Sequence, residues 1–333
     1  MKKRALEYLV CPDCKKGLHI ESTEYGGAEI KEGRLICKGC GASYDIRGGI
    51  PRFVPTDLYV GSFSYEWKKF KKVQLDSESE SGNSREGMSR IIDGDPSELS
   101  GIVLDAGCGT GRYMEIVSPH AKEVFGIDLS LACETAQELV GGKENVHVIQ
   151  ADINRLPFKE QTFDSIYSIG VLHHTPSTED SFMNLPPLLK KGGKLAIWIY
   201  SNEGIVKKLQ NPFREFYRLF TTRMPLKLVY LLSHIAIPLQ WVYHVFPPIY
   251  IIFPFARHPD PQHRVLDTFD AYSPRYVHLH TPEQALGWFE RAGLGDIELT
   301  MGGQGSRGTT VRLGPLNLEL TRENIGVVGK RAN

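Results

Sequence analysis

The sequence predicts an α/β fold: a mostly parallel sheet covered by helices on both faces, with a small metal-bound ribbon before it and a helical cap inserted near its end. Three observations predict it. Short apolar runs alternate with helix-like stretches from Ile102 onward, two Cys-x-x-Cys pairs stand near the N-terminus, and a long uncharged apolar segment breaks the rhythm late in the chain.

The bulk properties fit a folded, water-borne chain. Of its 333 residues, 41% are apolar and 23% charged, enough to bury a large core as two domains or as one with an appendage. Lys plus Arg and Asp plus Glu both number 39, so the strongly basic balance of many nucleic-acid binders is absent. The basic start, MKKRALEYLV, leads into too short an apolar run for a signal peptide. A cytoplasmic protein is expected, and its cysteines agree: four form a metal pattern, leaving Cys108 and Cys133.

Residues 1–55 read as the ribbon. Cys11-Pro12-Asp13-Cys14 and Cys37-Lys38-Gly39-Cys40 are two knuckles whose four thiolates suit tetrahedral zinc, with iron in the same geometry as the competitor. No further donor stands nearby, so the expected Zn2+ is structural and its binding is coupled to the folding of a very small unit. Gly48-Gly49-Ile50-Pro51 closes it. Residues 56–100 read as a linker or lid. It contains an aromatic and basic helix around Ser62–Phe70, whose aromatic face would close over the cofactor, and a second helix around Arg85–Ile92. The lysines at 68, 69, 71 and 72 could instead meet phosphates.

Residues 101–200 carry the strongest signal. Ile102–Asp105, Glu123–Ile127, Val146–Gln150, Phe163–Ser168 and Lys194–Ile199 read as buried strands. Gly111–Val117, Ala132–Val140 and Ser181–Leu189 read as the helices between them, the last broken or delayed by Pro186-Pro187. The first strand runs into Asp105-Ala106-Gly107-Cys108-Gly109-Thr110-Gly111. Its glycines allow a sharp turn and close approach of a ligand. The spacing is G-x-G-x-G, and Arg112 stands where the dinucleotide fingerprint needs its third glycine. S-adenosylmethionine (SAM) has no pyrophosphate to cradle but carries an ammonium group, for which Asp105 supplies negative charge. Asp128 ends the second strand, placed to accept both ribose hydroxyls. Asp152 follows the third, placed to accept from the adenine amino group, with Leu129 and Ile153 packing on the ring.

These segments resemble motifs I to III of class I SAM-dependent methyltransferases, particularly the Methyltransferase 11-type group. Phe163–His174 resembles that group's fourth-strand motif, and Leu189–Leu195 the turn before its fifth strand. The resemblance implies a Rossmann-like, seven-stranded methyltransferase sheet, with backbone near Gly107 and Ser168 at the methionine portion of SAM. Leu9–Cys14 with Gly48–Phe53 resembles the zinc-ribbon activator subunit of tRNA methyltransferases.

Residues 201–280 follow the fifth strand, where this class builds substrate recognition, and are expected to form a helical cap. Within them Leu228–Ala256 holds no Asp, Glu, Lys or Arg. It is long enough to span a bilayer, but Pro238, Pro247, Pro248 and Pro254 break it, so peripheral docking through 228–256 is the membrane alternative. Residues 281–333 complete the core: a helix Pro282–Ala292 capped by Thr281, then strands at Ile297–Met301 and Ile325–Gly329.

Methyl transfer to a hydroxyl calls for a general base. His173 is the favoured candidate, with His174, Asp267, Asp270, Tyr272, His278 and His280 as the other groups expected near the site. The expected acceptor is a small molecule or glycan precursor, lipid-linked in one version. An RNA acceptor reached through the ribbon and the lysine segment is the first alternative, and a non-catalytic SAM-fold partner subunit the second.

Overall fold

The computed structural model describes residues 1–26, 29–54, 60–69, 83–246, 248–303, 308–313, 316–322 and 324–332. The ribbon contains a short 3-10 turn, Lys3–Glu7, and an antiparallel four-stranded sheet of β1 (Leu18–Gly26), β2 (Glu29–Cys37), β3 (Ser43–Arg47) and β4 (Ile50–Pro51). Two helices follow, α1 (Gly61–Lys69) and α2 (Asn83–Ile92). The side chains of Lys68 and Lys69, and residues 71 and 72 entirely, lie outside the described residues.

The core runs β5 (Ile102–Ala106), α3 (Arg112–Val117), β6 (Glu123–Asp128), α4 (Ala132–Leu139), β7 (Val146–Gln150), β8 (Phe163–Ile169), α5 (Thr178–Met183) and β9 (Leu189–Ile199). The cap comprises α6 (Ile205–Thr221), α7 (Leu226–Ser233), α8 (Ala236–Val245), α9 (Ile249–Ile252) and α10 (Pro261–Tyr272). The chain closes with α11 (Pro282–Arg291), β10 (Leu294–Met301), a hairpin of β11 (Gly308–Leu313) and β12 (Leu316–Arg322), and β13 (Ile325–Arg331).

The seven-stranded sheet has the order β10-β13-β9-β8-β5-β6-β7, and β13 runs antiparallel to both its neighbours. This is the expected architecture. Strands β5 and β6 inside the sheet are buried on both faces, and their near-continuous apolar runs follow from that. The β5-to-β6 and β6-to-β7 pairs are parallel and in step, so Asp105 and Asp128 stand near the same end of the sheet. Ligands of open parallel sheets bind at that carboxyl end.

Two elements depart from expectation. Helix α5 begins at Thr178, three residues earlier, because the Ser177 hydroxyl accepts the backbone N–H of Asp180 and caps it. It ends at Met183. Pro186 and Pro187 then sit in a 3-10 turn, because proline removes helix hydrogen bonds, and β9 starts at Leu189, before the expected Lys194. Helix α11 starts as predicted, with Thr281 and Gln284 forming a capping box.

The ribbon shares a core with the sheet. Met1, Ala5, Leu9, Ile30, Leu35 and Phe53 pack in one apolar cluster with Phe125, Ile149, Phe158 and Phe163. Backbone pairing joins them as well: Val10 N–H donates to Pro157 O (2.9 Å), and Phe53 N–H to Gln150 O (2.8 Å). Residues after β4 thereby lie along the outer edge of β7, with Arg52 paired in parallel to Gln150. Lys2 Nζ donates to the carbonyls of Gly141 (2.9 Å) and Val146 (2.7 Å).

Helices α6, α7 and α8 pack on α10, which in turn touches α1. Their outer side is apolar. Phe216, Leu219, Phe220, Leu231, Trp241 and Val245 are each more than half exposed. The stretch Leu226–Val245 is long and apolar enough to cross a membrane by length and composition alone, and little of it is buried.

Candidate cofactor slot and acceptor cavity

Two neighbouring cavities lie at the carboxyl end of the sheet. The first, about 140 Å³, is lined by Gly107 and Gly109 from the glycine turn, Asp128 and Leu129 from the end of β6, and Asp152 and Ile153 after β7. Phe63 and Val60 close it from the start of α1, and Gly170, Val171 and His174 from the segment after β8. The second, about 420 Å³, shares Phe63, Gly107, Gly109, Gly170 and His174 with it and continues past Tyr113, Trp198 and Tyr200 to Asp267 and Asp270 on α10. The shared residues make the two cavities one continuous slot.

The turn after β5 shapes the floor. Gly107 has φ +101°, and a Cβ there would lie 2.2 Å from a Val171 methyl. Only glycine fits such a position without displacement. Gly111 does not line the slot. It takes φ +88° as the N-cap of α3, where a Cβ would meet Val140 at 2.8 Å.

The carboxylates are held by local donors. Asp128 Oδ2 accepts the Gly109 N–H (2.8 Å), and its Oδ1 accepts both the N–H (2.8 Å) and the hydroxyl (2.6 Å) of Ser130. Burial raises its carboxyl above the usual range, although these three donors oppose the shift. Asp152 Oδ1 accepts the backbone and side-chain N–H groups of Asn154 (2.8 and 3.0 Å), and Asn154 in turn accepts from Ser181. Leu129 is anchored through its carbonyl, which accepts from Gln150 Nε2 (3.0 Å).

Asp105 is buried beneath the glycine turn beside Tyr167, and burial pushes its carboxyl well above the usual range. The Tyr167 hydroxyl beside it works against that rise. Two carboxylates along a glycine-floored slot, Asp128 and Asp152, fit the ribose and adenine donors of SAM, while Asp105 lines neither cavity.

Besides Gly111 and Asp105, two predicted positions lie outside the slot. Ser168, whose backbone was expected near the methionine portion, is fully buried and lines neither cavity; its hydroxyl donates to Ala106 O (2.7 Å), tying β8 to β5. His173 is also fully buried and lines neither cavity. Its ring stacks on Tyr200 at 3.9 Å, both its nitrogens lack partners among the described residues, and burial holds it well below the usual imidazole range. A base needs access to the acceptor's proton, so His173 does not fit that role. His174 is the member of the pair that lines both cavities, with Nδ1 3.0 Å from Tyr276 O.

Of the other groups expected near the site, Asp267 and Asp270 reach it, and Asp270 Oδ2 accepts from the Tyr200 hydroxyl at 2.8 Å. Enclosure by the cavity walls first, and the Asp270 carboxylate second, raise Asp267 to about 6, although solvent reaches its side chain. Tyr272 is buried and donates to Pro254 O. His278 Nε2 lies 3.0 Å from Thr175 O and His280 Nε2 2.9 Å from Thr178 Oγ1, both outside the slot. Trp198 and Tyr200, at the end of β9, are wall residues that sequence reasoning missed. Nothing in an ordinary β-rich run marks them as functional.

The ribbon places its four cysteine sulfurs within 4.8 Å of one another. Cys14 Sγ and Cys37 Sγ are 3.3 Å apart, and Cys11 Sγ and Cys40 Sγ 3.7 Å. The backbone N–H groups of Cys40 and Gly39 point at Cys37 Sγ (3.4 and 3.3 Å) and help lower its thiol to about 6. Four converging sulfurs with N–H donors on one of them fit a structural zinc.

The slot and the sheet together define a protein with a methyltransferase domain. Residues 104–197 match the methyltransferase domain family, and residues 2–49 match the Trm112p-like protein family. The chain therefore carries a methyltransferase domain preceded by a Trm112p-like ribbon. It is 33% identical over 120 residues to the tRNA U34 carboxymethyltransferase of Vibrio cholerae, covering 34% of this chain and 37% of that one. It is 38% identical over 100 residues to the enzyme of the same name from Shewanella loihica, covering 28% and 30%. The chain thus spans about a third of the length of these curated relatives. Among solved structures it is similar to a complex of the Haloferax volcanii Trm112 methyltransferase activator with a methyltransferase, at TM-score 0.46 and 12% identity, covering 84% of this chain and 100% of that one. These relatives overturn one expectation: they are named for tRNA, not for the small-molecule or glycan acceptor favoured from the sequence.

Proposed function

We propose that this chain is a SAM-dependent methyltransferase acting on RNA in the cytoplasm. The cofactor half of the reading rests on the glycine-floored slot with Asp128 and Asp152 along it and Asp105 buried close by. The acceptor half rests on the similarity of the matched segment to tRNA enzymes and on the walls of the second cavity. Phe63, Tyr113, Trp198 and Tyr200 offer aromatic faces beside that slot. A nucleobase taken out of its stack is recognised by stacking on such side chains and by hydrogen bonds to its edge.

SAM supplies a sulfonium methyl group; the chain's residues bind, orient and deprotonate. Asp128 would receive the ribose hydroxyls, and Asp152 the adenine amino group, with Leu129 and Ile153 lining the adenine end. Gly107 and Gly109 would floor the methionine portion, and Asp105, buried beside the slot, would act on its ammonium through water. On the acceptor side Asp267 takes the role of proton acceptor that His173 cannot fill, and Asp270 with Tyr200 orients the base. The working division of the chain follows the sequence reading: ribbon 1–55, lid 56–100, cofactor core 101–200, acceptor cap 201–280 and closing strands 281–333.

The test has two arms. Calorimetry with SAM is expected to show binding that weakens at least about tenfold in Asp128→Ala. Incubation with SAM labelled in its methyl group and with total tRNA or rRNA is expected to place label in RNA. Binding of SAM without label in either RNA would reject the acceptor, and absence of SAM binding would reject the whole reading.

A further inference from the structure

His258, Asp260 and His263 form a cluster that neither the slot nor the ribbon uses. One ligating atom from each lies within 4.8 Å of the others. Asp260 is the N-cap of α10: its Oδ2 accepts the His263 N–H (2.8 Å) and lies 2.8 Å from His263 Nδ1. His258 Nδ1 accepts the Asp260 N–H at 3.1 Å. All three side chains are half-buried, within reach of solvent and a dissolved ion.

The segment is stiff before anything binds. Pro259 and Pro261 flank Asp260 and fix the backbone on either side of it. Arg264, which is buried, donates to Pro259 O (3.1 Å) and Ile237 O (3.2 Å), clamping the turn to α8. Ala256 N–H donates to Thr268 Oγ1 (3.1 Å), tying the chain entering the turn to α10. A rigid turn lowers the entropy cost of gathering ligands.

We propose that His258, Asp260 and His263 form a second metal site, for a divalent transition ion such as zinc, that pins the first turn of α10. Two imidazoles and a carboxylate suit zinc and its neighbours, not calcium or magnesium, which favour all-oxygen shells. At bond lengths of about 2.0–2.1 Å, tetrahedral donors sit roughly 3.3–3.4 Å apart. The set closes to that spacing by small rotations of the two rings, exchanging the Asp260 N–H bond of His258 for the metal. Water fills the fourth position. The ion occupies the beginning of the helix whose later turns carry Asp267 and Asp270 into the acceptor cavity, so it steadies that wall without touching the acceptor.

Zinc per chain decides the matter, measured by atomic emission on the full-length protein after dialysis against buffered free zinc. The wild type is expected to hold two ions. His258→Ala and His263→Ala are each expected to hold one, the ion of the four cysteines. Asp260→Asn keeps a side chain able to cap the helix and is expected to weaken the second ion at least about tenfold. His244→Ala removes a cap histidine outside the cluster and should still hold two. The retained cysteine-bound ion and an unchanged far-ultraviolet spectrum report that each variant is folded. A single ion in the wild type, two ions in all the variants, or the same loss with His244→Ala would overturn the proposal.

Discussion

Replacing Gly107 by alanine tests the glycine floor directly. The new Cβ would lie 2.2 and 2.5 Å from the two Val171 methyls, where carbon atoms normally rest at about 3.5–4.0 Å. The backbone must also keep φ +101°, which costs an L-residue roughly 1–2 kcal/mol. Overpacking adds about 1–3 kcal/mol, so stability should fall by roughly 2–5 kcal/mol. Val171 lines the cofactor cavity, and its displacement should lower SAM affinity at least about tenfold. Urea unfolding and calorimetry with SAM measure the two losses. Gly107→Ala/Val171→Ala separates the causes: it relieves the collision but keeps the backbone strain, so it should recover part of both losses relative to Val171→Ala alone. Wild-type affinity in the single variant, or no recovery in the double, would refute this account of the turn.

Three further predictions follow from the site and the ribbon. His147 is buried against Glu123 at 2.8 Å and held near 3, chiefly by burial. The unfolded chain takes up a proton below about pH 6.5 that the folded ring refuses, so stability should fall by up to about 2 kcal/mol between pH 6.5 and 5. Glu123, raised by burial, offsets part of this at the acid end. His147→Phe should flatten the slope of urea midpoint against pH, and equal slopes in both proteins would count against it. Asp267 sits near 6, so as a proton acceptor it should give a methylation rate that rises with pH through about 6 and then levels. Asp267→Asn should abolish that limb while leaving SAM affinity within about twofold. Cys14→Ser should release the ribbon's zinc and, because ribbon and sheet share a core, lower the main thermal transition by at least about 5 °C; an unchanged main transition would show that the ribbon folds apart.

Much of the cofactor slot was legible because strand ends are local features. An Asp closing an apolar run, a glycine turn, and two more acidic strand ends need no tertiary information, and Asp128, Leu129, Asp152 and Ile153 all line the cavity. The four cysteines were legible for the same reason. Side-chain direction after a strand was not. Leu172–His174 form a 3-10 turn, in which successive side chains point about 120° apart. One histidine of the pair therefore enters the cavity while the other enters the core, and the sequence does not say which. The direction of the Ser168 hydroxyl was equally illegible: the pleat alternates strand residues between faces, and here it aims the hydroxyl at Ala106. The acceptor wall was legible only as a set of candidates. Asp267 and Asp270 stand one turn apart on α10, but that they face the slot while Tyr272 and the later histidines do not depends on how the cap docks.

The lodging of residues 52 and 53 on the rim of β7 bears on how this chain can be dissected. A version starting near residue 100 would bare a strand margin with unanswered N–H and C=O groups, beside uncovered Phe125 and Phe158. Both features invite clumping. In the intact chain the same rim is taken, so a free-standing ribbon of the same kind has nowhere to seat itself there.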